Sequence, residues 1–296
     1  MPIWTLFGIR HGVATSASAG DPAHDKTQHG VLGMPRLMDG NCAENCRACV
    51  DVCLPGALSF ADAANNASLS LDYGKCVACQ LCTEVCPDGS AANSSRPNPA
   101  GASTSASTST SATSGPRLQT SHRWAFGVRN REDLLWAEAV ASAPAQELKE
   151  SIRRYFGRSL HIRHVDAGSC NGCESELQAL NNPLYNLHRL GIFFTPTPRA
   201  ADLLLVTGSV TYAMREALLA AYEGMPEPKW VMAVGACAIS GGASGGGYSC
   251  EHGLEGILPV DLYLPGCPPN PAAIIHALLM LVNRASQRVV EGHYAQ

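Results

Sequence analysis

The sequence predicts an α/β protein in two parts, a small cysteine-rich module and a larger parallel-sheet domain, joined by a flexible linker. Three observations predict it. Eight of the thirteen cysteines fall within residues 42–86, at gaps of two and three residues. Residues 102–114 contain only Ala, Ser and Thr, a stretch with nothing to bury and so unable to offset the entropy of its own ordering. From residue 158 onward, short apolar runs alternate with stretches of helical spacing, the pattern of parallel strands covered on both faces.

The chain has 296 residues, room for about two domains. Its formal charge of −4 argues against nucleic acid as a partner. The charge is uneven. Residues 1–90 carry 5 Lys/Arg against 9 Asp/Glu, residues 117–167 carry 9 against 6, and residues 168–296 carry 6 against 10. The basic middle segment reads equally as a docking surface and as a solvated helix face. The start, Met1-Pro2-Ile3-Trp4, lacks the basic region and apolar core of a secretory signal. Cysteines at such short gaps are awkward disulfide partners, so metal or cluster ligation in a reducing compartment is expected. No apolar run approaches the roughly 18–20 residues of a membrane span, so membrane association is expected only through partners.

Taken in order, Ile3 to Arg10 reads as a strand and residues 14–36 as loop. The first domain spans residues 1–90. Cys42, Cys46, Cys49 and Cys53 are spaced x3, x2, x3; Cys76, Cys79, Cys82 and Cys86 are spaced x2, x2, x3 and precede Pro87. The second run matches the C-x2-C-x2-C-x3-C-P pattern of bacterial ferredoxins. The first departs from it by one extra residue after Cys42 and by Leu54 before Pro55. Residues 91–121 form the tether. In the connector, 122–157, helical spacing over 131–156 is interrupted by Pro144 and ends at Gly157.

In the last domain, residues 158–296, strands are expected at Leu160 to Val165, 191–195, Asp202 to Val206, Trp230 to Val234 and Val260 to Leu264. Helices are expected from Glu176, over Val210 to Tyr222, and over Pro271 to Val290. Cys170 and Cys173, Cys237, and Cys267 each lie in or beside a glycine-rich turn following one of these strands. Parallel neighbours would bring the four together at the carboxyl ends of the sheet, where such folds bind ligands. Four thiolates are what a [4Fe–4S] cube needs.

The paired runs of the first domain resemble a two-[4Fe–4S] ferredoxin, in which the fourth cysteine of each run serves the other cluster. The resemblance implies one cluster on Cys42, Cys46, Cys49 and Cys86 and a second on Cys76, Cys79, Cys82 and Cys53. A pair of zinc sites is the competing reading. The stretches DAGSCNGCESEL, VGACAISGG and VDLYLPGCPPNPAAI resemble the small electron-transfer subunit shared by [NiFe] hydrogenases and NADH:quinone oxidoreductase (respiratory complex I). That implies a flavodoxin-like domain with a third [4Fe–4S] cluster on Cys170, Cys173, Cys237 and Cys267. It also implies an active site in a separate large subunit. The C-x2-C form of Cys170 and Cys173 is that of the hydrogenases; complex I subunits carry adjacent cysteines there. The resemblance points to the membrane-bound, formate hydrogenlyase-type group. Its partners would be the large subunit, antiporter-like membrane subunits reached indirectly, and a soluble electron donor. The place would be the inner face of the membrane. The alternative is an equivalent subunit of a complex lacking nickel. Buried free cysteines are the bland reading of these positions, and the one favoured for Cys250. Glu176 is expected to favour its helix N-terminus over relaying protons, and His252 and His276 to be satisfied side chains.

Overall fold

The computed structural model describes residues 33–38, 42, 46–60, 69–86, 117–121, 123–136, 159–183 and 185–294. The strand expected at Ile3 to Arg10 and the tether at 102–114 lie outside them.

The larger domain is a five-stranded parallel sheet in the order β10-β9-β8-β6-β7. Its strands are β6 (Leu160–Asp166), β7 (Ile192–Phe194), β8 (Leu203–Thr207), β9 (Trp230–Val234) and β10 (Leu262–Leu264). Every residue of β8 and β9 is buried, which is why these two read as unbroken apolar runs rather than alternating ones. Helices α3 (Gly172–Ala179), α4 (Tyr212–Glu223), α5 (Gly235–Ser240) and α6 (Pro271–Leu281) complete the domain. α6 starts at Asn270, whose side chain accepts a hydrogen bond from the Ala273 N–H at 2.7 Å, with Pro271 at the first position. All its residues are buried, so it is a core helix.

α6 stops at Leu281 rather than running on to Val290. Asn283 adopts a left-handed conformation, φ 56°, a common way to end a helix. Arg129 donates to the Met280 carbonyl and to the Asn283 side chain, both at 3.1 Å. Val289 and Val290 instead form a hairpin, β11 (Val289–Val290) with β12 (His293–Tyr294).

The cysteine-rich module holds β1 (Arg36–Leu37), β2 (Leu58–Phe60), β3 (Leu69–Asp72) and two one-turn helices, α1 (Ala48–Asp51) and α2 (Leu81–Glu84). It is completed from beyond residue 90. β4 (Leu118–Gln119) pairs with β1, and β5 (Leu135–Trp136) pairs with β3. The helix expected over 131–156 is therefore absent from its first six residues. Arg131–Leu134 is a 3-10 turn leading straight into β5, and 137–158 lie outside the described residues. Long-range contacts override the helical spacing here: Arg131 reaches Asp72 at 2.6 Å, and the Tyr73 N–H donates to the Leu134 carbonyl at 2.9 Å.

The two parts are packed together. Val128 and Tyr263 exchange backbone hydrogen bonds at 2.9 and 2.8 Å, and the Ser240 hydroxyl donates to the Gly74 carbonyl at 3.2 Å. One continuous apolar cluster contains Leu69, Leu71, Tyr73 and Val128 together with Val165, Leu204, Val231 and Ile239.

Candidate metal centres

The carboxyl ends of β6, β9 and β10 deliver one group of cysteines. After β6, the Asp166 carboxylate accepts from the N–H groups of Gly168 and Ser169, both at 2.9 Å, and so folds back the loop carrying Cys170. Asn171 is left-handed, φ 68°, and turns the chain into α3 with Cys173 in its first turn. Gly235, φ 87°, makes the corresponding turn after β9 and places Cys237 in α5. A Cβ at Gly235 would sit 2.8 Å from Cys173 Sγ, and one at Gly242 2.8 Å from Cys237 Sγ. Backbone therefore presses against sulfur at two sides of the group. Cys267 follows Gly266 at the end of β10.

The thiols act on one another. Burial pushes Cys173 up to about 12, with added repulsion from Glu174, Cys237, Cys267 and Cys170. Cys237 is raised by burial, then by Cys267 and Cys170; Cys267 by burial, then by Cys170 and, notably, Cys79. In the small module, burial and then Cys42, Cys46 and Cys86 push Cys49 up to about 11. Burial again leads for Cys76 and Cys82, each raised to about 12, with Cys53 and Cys79 acting on both. These influences link Cys49 with Cys42, Cys46 and Cys86, link Cys76 and Cys82 with Cys53 and Cys79, and link Cys173 with Cys170, Cys237 and Cys267. Cys79 is near enough to Cys267 for its charge to be felt there.

These thiols stand where iron-bound thiolates would be. All thirteen cysteines are free, and each four is an all-thiol donor set. Among the described residues no three His, Cys, Asp or Glu side chains converge closely enough to hold a single metal ion. Sulfur also receives backbone donors: Ala57 N–H to Cys53 Sγ at 3.2 Å and Ala78 N–H to Cys76 Sγ at 3.4 Å.

Two family models match the chain. The NADH ubiquinone oxidoreductase 20 Kd subunit matches residues 170–281, and the 4Fe-4S dicluster domain matches residues 41–90. The probable membrane-bound hydrogenase subunit mbhJ of Pyrococcus furiosus is 40% identical over 136 residues, 46% of this chain and 81% of that protein. The chain belongs to the family of the NADH ubiquinone oxidoreductase 20 Kd subunit. The uncharacterized protein MJ0516 of Methanocaldococcus jannaschii is 45% identical over 138 residues, 47% of this chain and 90% of that protein. Formate hydrogenlyase subunit 7 of Escherichia coli K12 is 42% identical over 152 residues, 51% of this chain. The match spans 58% of the length of that subunit.

Within this family domain the acid beside the thiols is Glu174, which sequence reasoning passed over for Glu176. Glu174 is buried. It accepts from the Ser169 hydroxyl at 2.7 Å and from the Thr207 hydroxyl, and His164 Nε2 lies 3.7 Å away. Burial lowers the His164 pKa. Glu176 is only partly buried, and that burial raises its pKa. A sequence signal for Glu174 did exist, namely its position directly after Cys173 in the first turn of a helix. Arg117, buried with Nη1 3.9 Å from Cys42 Sγ, was likewise missed, being 75 residues away in the chain. Cys250 stands apart from the three fours, its thiol donating to the Ser244 carbonyl at 2.8 Å. His276 is buried in α6, its ring edge-on to Trp124.

Proposed function

We propose that this chain is the electron-transfer iron–sulfur subunit of a membrane-associated, [NiFe]-hydrogenase-like complex. It would hold three [4Fe–4S] clusters on the three fours of cysteines and serve an active site in a partner large subunit. The observation that carries the reading is the match of residues 41–90 to a 4Fe-4S dicluster domain beside a 20 Kd subunit match over 170–281, supported by the mutual charge influence of the thiols within each proposed four. When bound, a [4Fe–4S] cluster stores and releases one electron at a time. The chain's own residues fix the thiolates on strand ends and one-turn helices, bury them, and supply N–H donors to sulfur, which tunes the potential. With every cluster iron held by a protein thiolate, no open coordination position remains for substrate, so substrate chemistry belongs to the partner.

The names of the formate hydrogenlyase and membrane-bound hydrogenase relatives support a hydrogenase-like complex, as does the C-x2-C spacing of Cys170 and Cys173. The influence of Cys79 on Cys267 supports 53/76/79/82 as the neighbour of the third site, with 42/46/49/86 farther out. No helix of the described residues is long and apolar enough to cross a membrane, so attachment at the inner membrane face would come through other subunits, antiporter-like ones among them. A second reading, a subunit of a nickel-free complex of the NADH:quinone oxidoreductase type, is favoured by the 20 Kd subunit match. Two C-x2-C pairs in the large subunit would decide for nickel. Anaerobic iron and sulfide analysis, with EPR of the reduced protein, tests the cluster assignment. About twelve irons per chain are expected; a count near eight removes one site, and zinc without iron overturns the reading.

A further inference from the structure

A cavity of about 170 Å³ lies where β1, the segment 121–126, β5 and the hairpin strand β12 meet, and no cysteine lines it. Its exposed wall is mostly polar. Strand pairing builds it. Arg36 faces Gln119 across β1 and β4, and the N–H groups of Gly33 and Met34 donate to the carbonyls of Ser121 and Arg123 at 2.9 and 3.2 Å. Two arginines distant in sequence, Arg36 and Arg123, thereby line one small space.

The walls are packed. Tyr73 is buried, and its hydroxyl donates to the Pro35 carbonyl at 3.2 Å. The Arg123 guanidinium lies over the Tyr294 ring, 4.7 Å from its centroid. Trp136 is pressed by the turn before β12. A Cβ at Gly292 would sit 2.4 Å from Trp136 Cα, so a glycine, here at φ 73°, is what allows the hairpin this close.

The charge of the cavity is one-sided. Among the described residues no carboxylate lies within ion-pair distance of Arg36 or Arg123. A guanidinium presents its N–H groups as a planar fork that matches the paired oxygens of carboxylate and phosphate. Two such forks on one small polar cavity favour an anion over a neutral or cationic guest. Size narrows the class further. The cavity is smaller than the roughly 300–1,000 Å³ of drug-sized and cofactor sites, so a nucleotide or a flavin does not fit. Arg36 is exposed, so part of the attraction is screened and binding weakens with salt.

We propose that this cavity is a binding site for a small oxyanion, a phosphate or a carboxylate of a few carbons, held by Arg36 and Arg123. The site is separate from the proposed clusters and does not depend on their assignment.

The test is anaerobic isothermal titration calorimetry of the full-length protein in its complex, with inorganic phosphate and separately with malonate. Saturable binding of one anion per chain is expected, and the tighter of the two probes names the oxyanion. Arg36→Gln and Arg123→Gln should each weaken it by about tenfold or more, the loss of a charge-assisted contact. Arg36→Lys should fall between the native protein and Arg36→Gln, because it keeps the charge and loses the fork. Arg199→Gln, which removes an exposed arginine elsewhere, should bind as the native protein does. Absence of saturable binding by both probes overturns the proposal, as does a loss in Arg199→Gln as large as in Arg36→Gln. Should Arg123→Gln fail to fold, the exposed Arg36 still decides the matter.

Discussion

The third cysteine group and the two groups of the small module are built by opposite routes. Cys170, Cys173, Cys237 and Cys267 come from three turns spread over residues 170–267, and they follow strands of one buried parallel sheet. The other eight come from two short runs within residues 42–86, where Cys49 and Cys82 lie on four-residue helices and the others lie outside helices and strands. In the first case the fold makes the site. In the second there is little regular structure to do so, and iron binding would contribute directly to folding, as in small metal-organised domains. The comparison teaches that similar donor sets can depend on their scaffold to very different degrees.

The largest expected effect separates ligand from bystander. Cys237→Ala should remove the third cluster, lower iron by about a third and abolish H2-dependent dye reduction by the purified complex. Cys250→Ala should leave iron and activity in place, with destabilisation of about 1–3 kcal/mol for the lost buried hydrogen bond. Activity retained in the first variant, or lost in the second with clusters intact, would reverse the assignment.

Next comes removal of iron. Chelation should abolish hydrogen-exchange protection across 46–86 while the strands of the parallel sheet keep theirs. Equal loss in both regions would erase the contrast between a fold-made site and a metal-made fold.

A smaller effect sharpens the boundary. A flexible tether between independent domains predicts that cleavage within 102–114 releases two separate pieces. In the structure, β5 pairs with β3 across that boundary, and one apolar cluster spans both parts. The cut halves should therefore co-elute in size-exclusion chromatography; separate elution would restore the original boundary.

The smallest effect concerns acid stability of the sheet domain. Burial, and then the nearby Arg288 charge, lower the His276 pKa to about 4 from its ordinary 6.5. In the folded state the ring stays neutral while the unfolded chain takes up a proton below pH 6.5. This contribution is thus fully present above pH 6.5, shrinks as pH falls, and levels off near pH 4. The shift corresponds to about 3 kcal/mol. His276→Phe should flatten that part of the stability–pH curve, measured by denaturant unfolding. An unchanged slope would mean that other groups set it.

Much of this was legible in the sequence for physical reasons. β8 and β9 are buried on both faces, so their apolar runs are continuous, and the glycine turns after β9 and β10 mark where the thiols emerge. The dicluster domain follows from cysteine spacing, which is local, and the family domain from three separate glycine–cysteine turns. What stayed hidden is held by contacts between distant residues. Leu134 and Leu135 fit a helical period, yet Leu135 belongs to a strand because Asp72 is its partner. The end of α6 depends on Arg129, 151 residues from Met280. Arg117 belongs to no motif; only the strand pairing beside it, β1 with β4, brings it to Cys42.

The bond between Ser240 and Gly74 and the exchange between Val128 and Tyr263 have a kinetic meaning. A separate ferredoxin must find its partner by diffusion, and its delivery rate rises and falls with its concentration. Here the docked module is present at an effective concentration fixed by the chain itself. Dissociation would expose the shared apolar cluster to water, so the arrangement lasts as long as local unfolding is rare. Electron transfer between the small module and the proposed third site would then be independent of dilution, and a competing soluble carrier would have to act at the outer face of the module.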